Sequence, residues 1–216
     1  MMLLRTTLAV AALSLATLAL PAAAQMPGGG IKDMMGKASD NALDHLSQPG
    51  AFSADAAIRI ALPGAGGKGV GDLMNLANKA GLTGDISGAL NHAAEQAAAQ
   101  AKPIFRAAID RVNFQDAVGM VTGGGTAATD YLRKATGTEI NTKLLPLVQA
   151  ALQSSGVLKQ TAQLSSLGMN EGKLTDYVTG KTSDGIFTYV GREETKMRQN
   201  PLESGKTLLK GLNLGR

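Results

Sequence analysis

Three consecutive glycines stand between two predicted helices, at Gly123, Gly124 and Gly125, with Thr126 directly after them. Glycines that open a helix leave backbone N–H groups free to hold an anion, and nearby threonine hydroxyls add donors. The same glycines also suit a left-handed helix cap followed by a turn, which needs no ligand. The pattern favours the cap and leaves an anion site as the alternative.

A second set of side chains with useful chemistry lies in the C-terminal half, at Asp130, Tyr131, Tyr177, Arg192 and Glu193. A metal-free hydrolase would need Glu193, Asp130 and Tyr177 to converge on one cleft. A charged run in a helix is normally a solvated face with pairs four residues apart. Glu193 falls nearer the apolar stripe than its neighbours, which makes it the candidate for burial against an arginine.

The motifs for cofactors, metals and covalent catalysis are incomplete. The glycines of 64–69 have dinucleotide-loop spacing but follow no buried strand, and 179–182 and 204–207 hold only the end of a phosphate loop. His92 and Glu95 share one helix face, but the chain has only two histidines, too few for a usual catalytic metal site. With no cysteine, a thiol nucleophile is excluded. We therefore expect no cofactor, no metal and no identifiable catalytic residue.

The elements that must position these groups are helices. Apolar residues recur every three or four positions from Ile86 to Val112, and Pro103 requires either a kink or a junction of two helices near Ala101 and Lys102. The same spacing predicts helices over 31–48, 72–79, 114–121, 126–136, 139–154 and 174–198. Because no segment alternates as a half-buried strand does, we predict an all-α bundle of about eight to ten helices.

The N-terminus has the three parts of a secretory signal peptide: charged Arg5, an apolar run over 8–20, and small residues ending at Ala24. We predict cleavage after Ala24, a linker over 25–30 and one helical domain over 31–216, with 31–80 as a less regular lobe. The absence of cysteine excludes disulfides and a lipid anchor, so the mature chain is expected to be a soluble periplasmic protein without a transmembrane segment.

The composition also limits the classes of binding partner that we expect. The formal net charge is only +4, the charges are interspersed, Trp is absent and aromatic residues make up 3% of the chain. Nucleic-acid binding needs a clustered basic face or a stacking platform, so we expect no nucleic-acid partner. The C-terminal segment 202–216 has leucines beside basic residues and offers a peripheral membrane contact, although packing onto the bundle is the favoured alternative.

Many short strings, in this order and spacing, resemble one known family. They include Asn91–Glu95, Ala101–Phe105, Gln115–Ala117, Gly123–Tyr131, Tyr177–Lys181, Asp184–Phe187 and Arg192–Glu194. The family is a proteobacterial group of exported proteins, domain of unknown function 4197 (DUF4197), and the similarity runs from about Arg59 to the C-terminus. It implies a helical secreted or periplasmic protein and brings no established activity, cofactor or catalytic residue.

The sequence therefore favours a non-enzymatic periplasmic protein that binds an envelope partner, or a small apolar or anionic ligand, between its helices. Its candidate ligand-binding residues are Gly123, Gly124, Gly125, Thr126, Asp130, Tyr131, Tyr177, Arg192 and Glu193. The alternative is a metal-free, hydrolase-like enzyme that uses the carboxylates and tyrosines of the same set.

Overall fold

A computed structural model describes residues 28–61, 86–114, 123–160 and 170–200. These ranges contain six α-helices, one 3-10 helix and no strand, which confirms the all-α prediction. The helices are α1 (Gly28–Leu46), α2 (Ala51–Ala54), α3 (Ile86–Gln100), α4 (Lys102–Arg111), α5 (Ala127–Ser154) and α6 (Glu171–Gln199), with the 3-10 helix at Val157–Gln160. None of these described helices has the length and apolarity that a membrane span needs.

Several predictions fall on other parts of the chain. The signal peptide 1–24, the glycine-rich loop 64–71, the helix at 72–79 and the segment 202–216 lie outside the described residues. So does the predicted helix at 114–121, apart from Phe114, which is not helical. The total of eight to ten helices therefore stays a prediction.

The two longest helices, α5 and α6, lie antiparallel and form the centre of the fold. Ala128 meets Glu194 at one end of this pair, and Arg133 forms an ion pair with Asp184 further along. Helix α1 packs on α6, α3 packs on α5, and α4 packs on α1. The core is aliphatic with many alanines, and all four phenylalanines of the chain are buried in it.

Pro103 marks a junction between two helices. Helix α3 ends at Gln100 and α4 begins at Lys102, so the junction predicted at Pro103 is present. Pro103 lies in the first turn of α4, where a missing N–H costs little.

The prediction of separate helices over 126–136 and 139–154 was wrong, because α5 continues through both. A glycine inside a helix costs only about 1 kcal/mol relative to alanine, so Gly137 does not end it. Thr136 and Ile140, on either side of this glycine, are buried in the core and hold the helix across it. Pro146 also lies inside α5.

The segment after α1 is fastened to the bundle by side chains. Gly50 adopts a left-handed φ of 84°, which turns the chain from α1 into the single turn α2. Beyond α2, Asn91 of α3 accepts a hydrogen bond from the Ile60 N–H at 2.9 Å and donates to the Ile60 carbonyl at 2.8 Å. The Tyr177 hydroxyl donates to the Ala61 carbonyl at 2.8 Å. These side chains replace the backbone partners that a strand or helix would give this segment.

Glu95 has a similar structural role. Its carboxylate is 4% exposed, accepts the Phe52 N–H at 3.2 Å, and lies 3.4 Å from His92 Nδ1. The pair that the sequence offered as possible metal ligands therefore anchors α2. In the parts of the chain that the structure describes, no group of three His, Asp or Glu side chains is placed to hold a metal ion.

Candidate functional site

The helix N-terminus that follows the three glycines binds an anion that belongs to the chain itself. Glu194 of α6 is fully buried and accepts the N–H groups of Ala128 and Thr129 at 3.0 and 2.8 Å. Its carboxylate also accepts the Thr129 hydroxyl at 2.6 Å. The first N–H groups of a helix have no partner within the helix, and Thr126 at the N-cap position makes no side-chain cap bond. Glu194 therefore caps α5 from the neighbouring helix.

Arg198 completes this buried network from the next turn of α6. Its Nε and Nη2 donate to Glu194 Oε1 at 2.8 and 2.6 Å, and its side chain is only 19% exposed. Hydrogen bonds between an arginine and a carboxylate are about twice as strong as neutral ones. The positive end of the α5 dipole adds to the favourable field around the carboxylate.

The buried carboxylate is thus Glu194 and not Glu193, the candidate that the sequence favoured. Glu193 is partly buried, with 17% of its side chain exposed, and it pairs with exposed Lys196 at 2.5 Å and accepts from Asn41 at 3.4 Å. Neighbouring residues of a helix point about 100° apart, so one step in helical phase separates the two environments.

Gly125 serves the close approach of α5 and α6, while the predicted cap of the helix before Gly123 lies outside the described residues. Gly124 and Gly125 do not have the positive φ that such a cap requires, in contrast to Gly50 and Gly156. A Cβ on Gly125 would lie 2.9 Å from Thr195 Oγ1, and one on Gly191 would lie 3.0 Å from Thr126 Cγ2. Small residues on both sides let the start of α5 approach α6, and this proximity brings Glu194 to the N–H groups.

The remaining candidates do not converge on one cleft. Asp130 is exposed and accepts the Thr126 hydroxyl at 3.0 Å, while Tyr131, 38% exposed, donates to the Asn113 carbonyl at 3.2 Å. Tyr177 lies near the opposite end of α6, about 24 Å along the helix axis from Glu193. The arrangement of Asp130, Tyr177 and Glu193 that the hydrolase alternative needs is not formed.

Arg192 lies beside a different feature, an open cavity of about 620 Å³ between the end of α1, α2 and α6, through its ion pair with the lining residue Asp55. Small residues and one glutamine line much of its surface: Gln48, Pro49, Gly50, Ala51, Ala54 and Ala56. His45 of α1 and Tyr189 of α6 complete the wall, and their rings stack with centroids 4.9 Å apart and planes 18° apart. We refer to this space as the His45–Tyr189 cavity.

Asp55 joins the two sides of the cavity. Its Oδ2 accepts hydrogen bonds from the Tyr189 hydroxyl at 3.0 Å and from Arg192 Nη1, and its Oδ1 accepts the Ala57 N–H at 2.9 Å. The Arg192 guanidinium also lies 4.6 Å above the centre of the Tyr189 ring, within the range of a cation–π contact. One carboxylate therefore fixes an arginine and a tyrosine at the rim.

These contacts shift the proton affinities in the cluster. The hydrogen bond from Arg192, followed by that from the Ala57 N–H, lowers the pKa of Asp55 from 3.8 to about 2. Burial, followed by the hydrogen bond to Asp55, raises the pKa of Tyr189. At neutral pH the rim therefore contains an ionised Asp55, a neutral Tyr189 and a charged Arg192.

Acid is expected to weaken this cluster in a defined pH window. Because the pKa of Asp55 is lower in the folded than in the unfolded chain, its stabilisation is complete above about pH 3.8 and is lost as the pH falls through about 2. Replacing Arg192 with methionine should return the pKa of Asp55 toward 3.8. NMR titration of the Asp55 carboxyl carbon measures this shift, and an ordinary pKa in the unmodified protein would contradict the arrangement.

Together the described residues define a class of protein: an all-helical fold closed by a buried glutamate–arginine pair, with an open cavity whose rim is an ionic and aromatic cluster. A family model matches residues 22–212, and the chain belongs to that family, the proteins of unknown function DUF4197. The predicted family is therefore confirmed. No curated protein and no solved structure matches the chain.

Proposed function

We propose that this protein is a non-enzymatic periplasmic binding protein, and that the His45–Tyr189 cavity takes a small organic anion with an apolar body. The observation that carries the proposal is the ion pair that holds Arg192 against Asp55, a lining residue of a cavity whose other walls are largely alanine, glycine and proline. Ligand sites typically combine an apolar surface with a few fixed polar groups, and this cavity has both.

The charge of the ligand follows from the hydrogen bonds at the rim. Both oxygens of Asp55 already accept hydrogen bonds, so this carboxylate has little capacity left for a cation. Arg192 donates to Asp55 from Nη1 and is also in hydrogen-bond range of the Tyr189 hydroxyl, but a guanidinium has five N–H donors, so further donors remain. Its side chain is 41% exposed, so these donors are accessible to a carboxylate, sulfonate or phosphate group.

The shape of the ligand follows from the wall. Ala51, Ala54 and Pro49 offer a shallow apolar surface with no bulky side chain, which suits a flat hydrocarbon or aromatic body. The stacked rings of His45 and Tyr189 give a planar edge beside it. Because Asp55 and the Tyr189 ring already hold Arg192 in place, this side chain loses little conformational freedom when a ligand binds.

Anilinonaphthalene sulfonate, an aromatic anion that fluoresces in apolar surroundings, is a suitable probe. We expect saturable binding to the folded protein and a loss of affinity of about tenfold in Arg192→Met, the effect of removing one charge-assisted hydrogen bond. A fluorescence titration measures both affinities. Native mass spectrometry of the protein purified from the periplasm of its source then identifies any natural anion that remains bound.

Arg133→Met is the matched control. Arg133 also pairs with an aspartate, Asp184, and lies 5.5 Å from the centre of an aromatic ring, that of Phe187. Neither Asp184 nor Phe187 lines the cavity, whereas Asp55 and Tyr189, the partners of Arg192, both do. The control should bind the probe as the unmodified protein does. If Arg192→Met binds equally well, or if both variants weaken binding to the same extent, the cavity is not the anion site.

A further inference from the structure

The charges beside the His45–Tyr189 cavity cancel at neutral pH. Asp55 carries one negative charge and Arg192 one positive charge, and the two side chains form an ion pair. Of the described residues that line the cavity, only His45, Asp55 and Tyr189 have ionisable side chains. While His45 is neutral, an entering anion therefore meets the N–H donors of Arg192 but no net positive charge.

His45 is the lining residue whose charge can change near neutral pH. The hydrogen bond from Arg192 lowers the pKa of Asp55 to about 2, and burial raises the pKa of Tyr189 above its usual value. Both groups therefore keep their charge state between about pH 5 and 8, and an arginine stays charged throughout. Histidine is the side chain that ordinarily exchanges a proton in this range. Among the described lining residues, a change of charge near neutral pH is thus assigned to His45.

The position of His45 allows direct contact with a bound anion. It is exposed in the last turn of α1, and its ring stacks on Tyr189 with the planes 18° apart. Imidazole nitrogens lie at the ring edge, so stacking on the face leaves them accessible, and neither bonds to a described residue. The His45 ring centre and Arg192 Cζ lie 4.9 and 4.6 Å from the centre of the same Tyr189 ring. One small ligand can therefore contact both groups.

The other ionisable groups near the end of α1 and around the cavity already have partners. They are the ion pairs Asp44–Lys102, Asp55–Arg192 and Glu193–Lys196, the contact of Glu95 with His92, the Tyr189 hydroxyl that donates to Asp55, and Arg59, which donates to the Ser53 carbonyl. Because each of these carboxylates is already paired, none of them is left to neutralise a protonated His45. The added charge is therefore available to a ligand.

We propose that His45 is a second anion-binding group of this cavity and that its protonation makes organic anions bind more tightly in mild acid. The inference rests on the proposed function, since it concerns the same ligand and the same cavity. A protonated His45 gives the cavity a net positive charge and a second charge-assisted donor beside Arg192. A sulfonate, carboxylate or phosphate group then accepts hydrogen bonds from both side chains.

Two naphthalene derivatives that differ in charge test the proposal on the folded protein. Naphthalene sulfonate stays an anion in the pH range used, and naphthalene methanol is a neutral molecule with the same apolar body. The sulfonate should bind about tenfold more tightly at about pH 5.5 than at about pH 8, the effect of one added charge-assisted hydrogen bond. The affinity of the neutral alcohol should not change. NMR titration of the backbone amides measures all four affinities, and an equal gain for both compounds would overturn the proposal.

Variants assign the pH dependence to one side chain. His45→Gln keeps a planar group that donates hydrogen bonds but takes up no proton, so its affinity for the sulfonate should be the same at both pH values. His92→Gln is the matched control, because His92 is the other histidine of the chain, is 55% exposed and does not line the cavity. This control should keep the tenfold change. A change that persists in His45→Gln, or that disappears in His92→Gln, would contradict the assignment to His45.

The proposed function and the role of His45 fail in different ways. Absence of saturable sulfonate binding at both pH values would overturn both. Binding that weakens in Arg192→Met but is the same at both pH values would overturn only the role of His45. Binding that tightens in mild acid through His45 but is unchanged in Arg192→Met would support this inference and contradict the contribution of Arg192.

Discussion

Replacing Glu194 with alanine is expected to lower the free energy of unfolding by about 3–5 kcal/mol, the usual cost of removing one partner from a buried ion pair. The substitution leaves the N–H groups of Ala128 and Thr129 without an acceptor and leaves Arg198 without its carboxylate. Urea unfolding followed by far-UV circular dichroism measures the change. Because this loss is a large part of a typical stability of about 5–15 kcal/mol, Glu194→Gln, which keeps one acceptor oxygen, gives a milder second variant.

The adjacent residue provides the control. Glu193→Ala removes an ion pair in which Lys196 is 68% and Glu193 17% exposed, and it leaves no helix N–H group and no buried charge without a partner, so the loss should stay within about 1 kcal/mol. If the two alanine variants are equally stable, the cap from α6 does not hold the start of α5. A large effect of Glu193→Ala with none for Glu194→Ala would mean that Glu193, the candidate for burial in the sequence, occupies the buried position instead of Glu194.

Asn91→Ala should cost about 2–4 kcal/mol, because it removes hydrogen bonds to both backbone groups of buried Ile60, each worth about 1–3 kcal/mol when its partner is lost. The effect should concentrate in the segment that α3 fastens, where Phe52 and Ile60 are buried. Thermal unfolding gives the stability, and amide hydrogen exchange at Ile60 reports local detachment.

Asn41→Ala is the control for that variant. Asn41 is exposed, and its one side-chain hydrogen bond to a described residue is a long one of 3.4 Å to Glu193, so its removal should change the stability by less than about 0.5 kcal/mol. Unchanged exchange at Ile60 in Asn91→Ala would show that the hydrogen bonds from Asn91 do not hold this segment on α3.

The helices could be predicted from the sequence because their signal is local. Apolar spacing gives α3 and α4, and Pro103 marks their junction. The continuity of α5 could not be predicted, because the burial of Thr136 and Ile140 outweighs the small cost of Gly137 only after the neighbouring helices are in place. The family was also recognisable, since its signal lies in the order of many short strings.

The sites depend on contacts between distant parts of the chain, which spacing does not reveal. Asp55 and Tyr189 are 134 residues apart, and no motif links them to each other or to His45. Of the predicted binding residues, Arg192 alone lies in the cluster at this cavity.

The position of Glu194 in the chain also affects the order in which the fold is completed. The first turn of α5 depends on a carboxylate that lies 65 residues after Thr129. A chain that emerges N-terminus first contains the whole of α5 while the start of that helix is still uncapped. The turn at 127–129 can then become fully stable only when nearly the last described helical turn has docked. The N-terminal end of α5 is therefore expected to become stable late in folding, because its cap comes from a distant part of the chain.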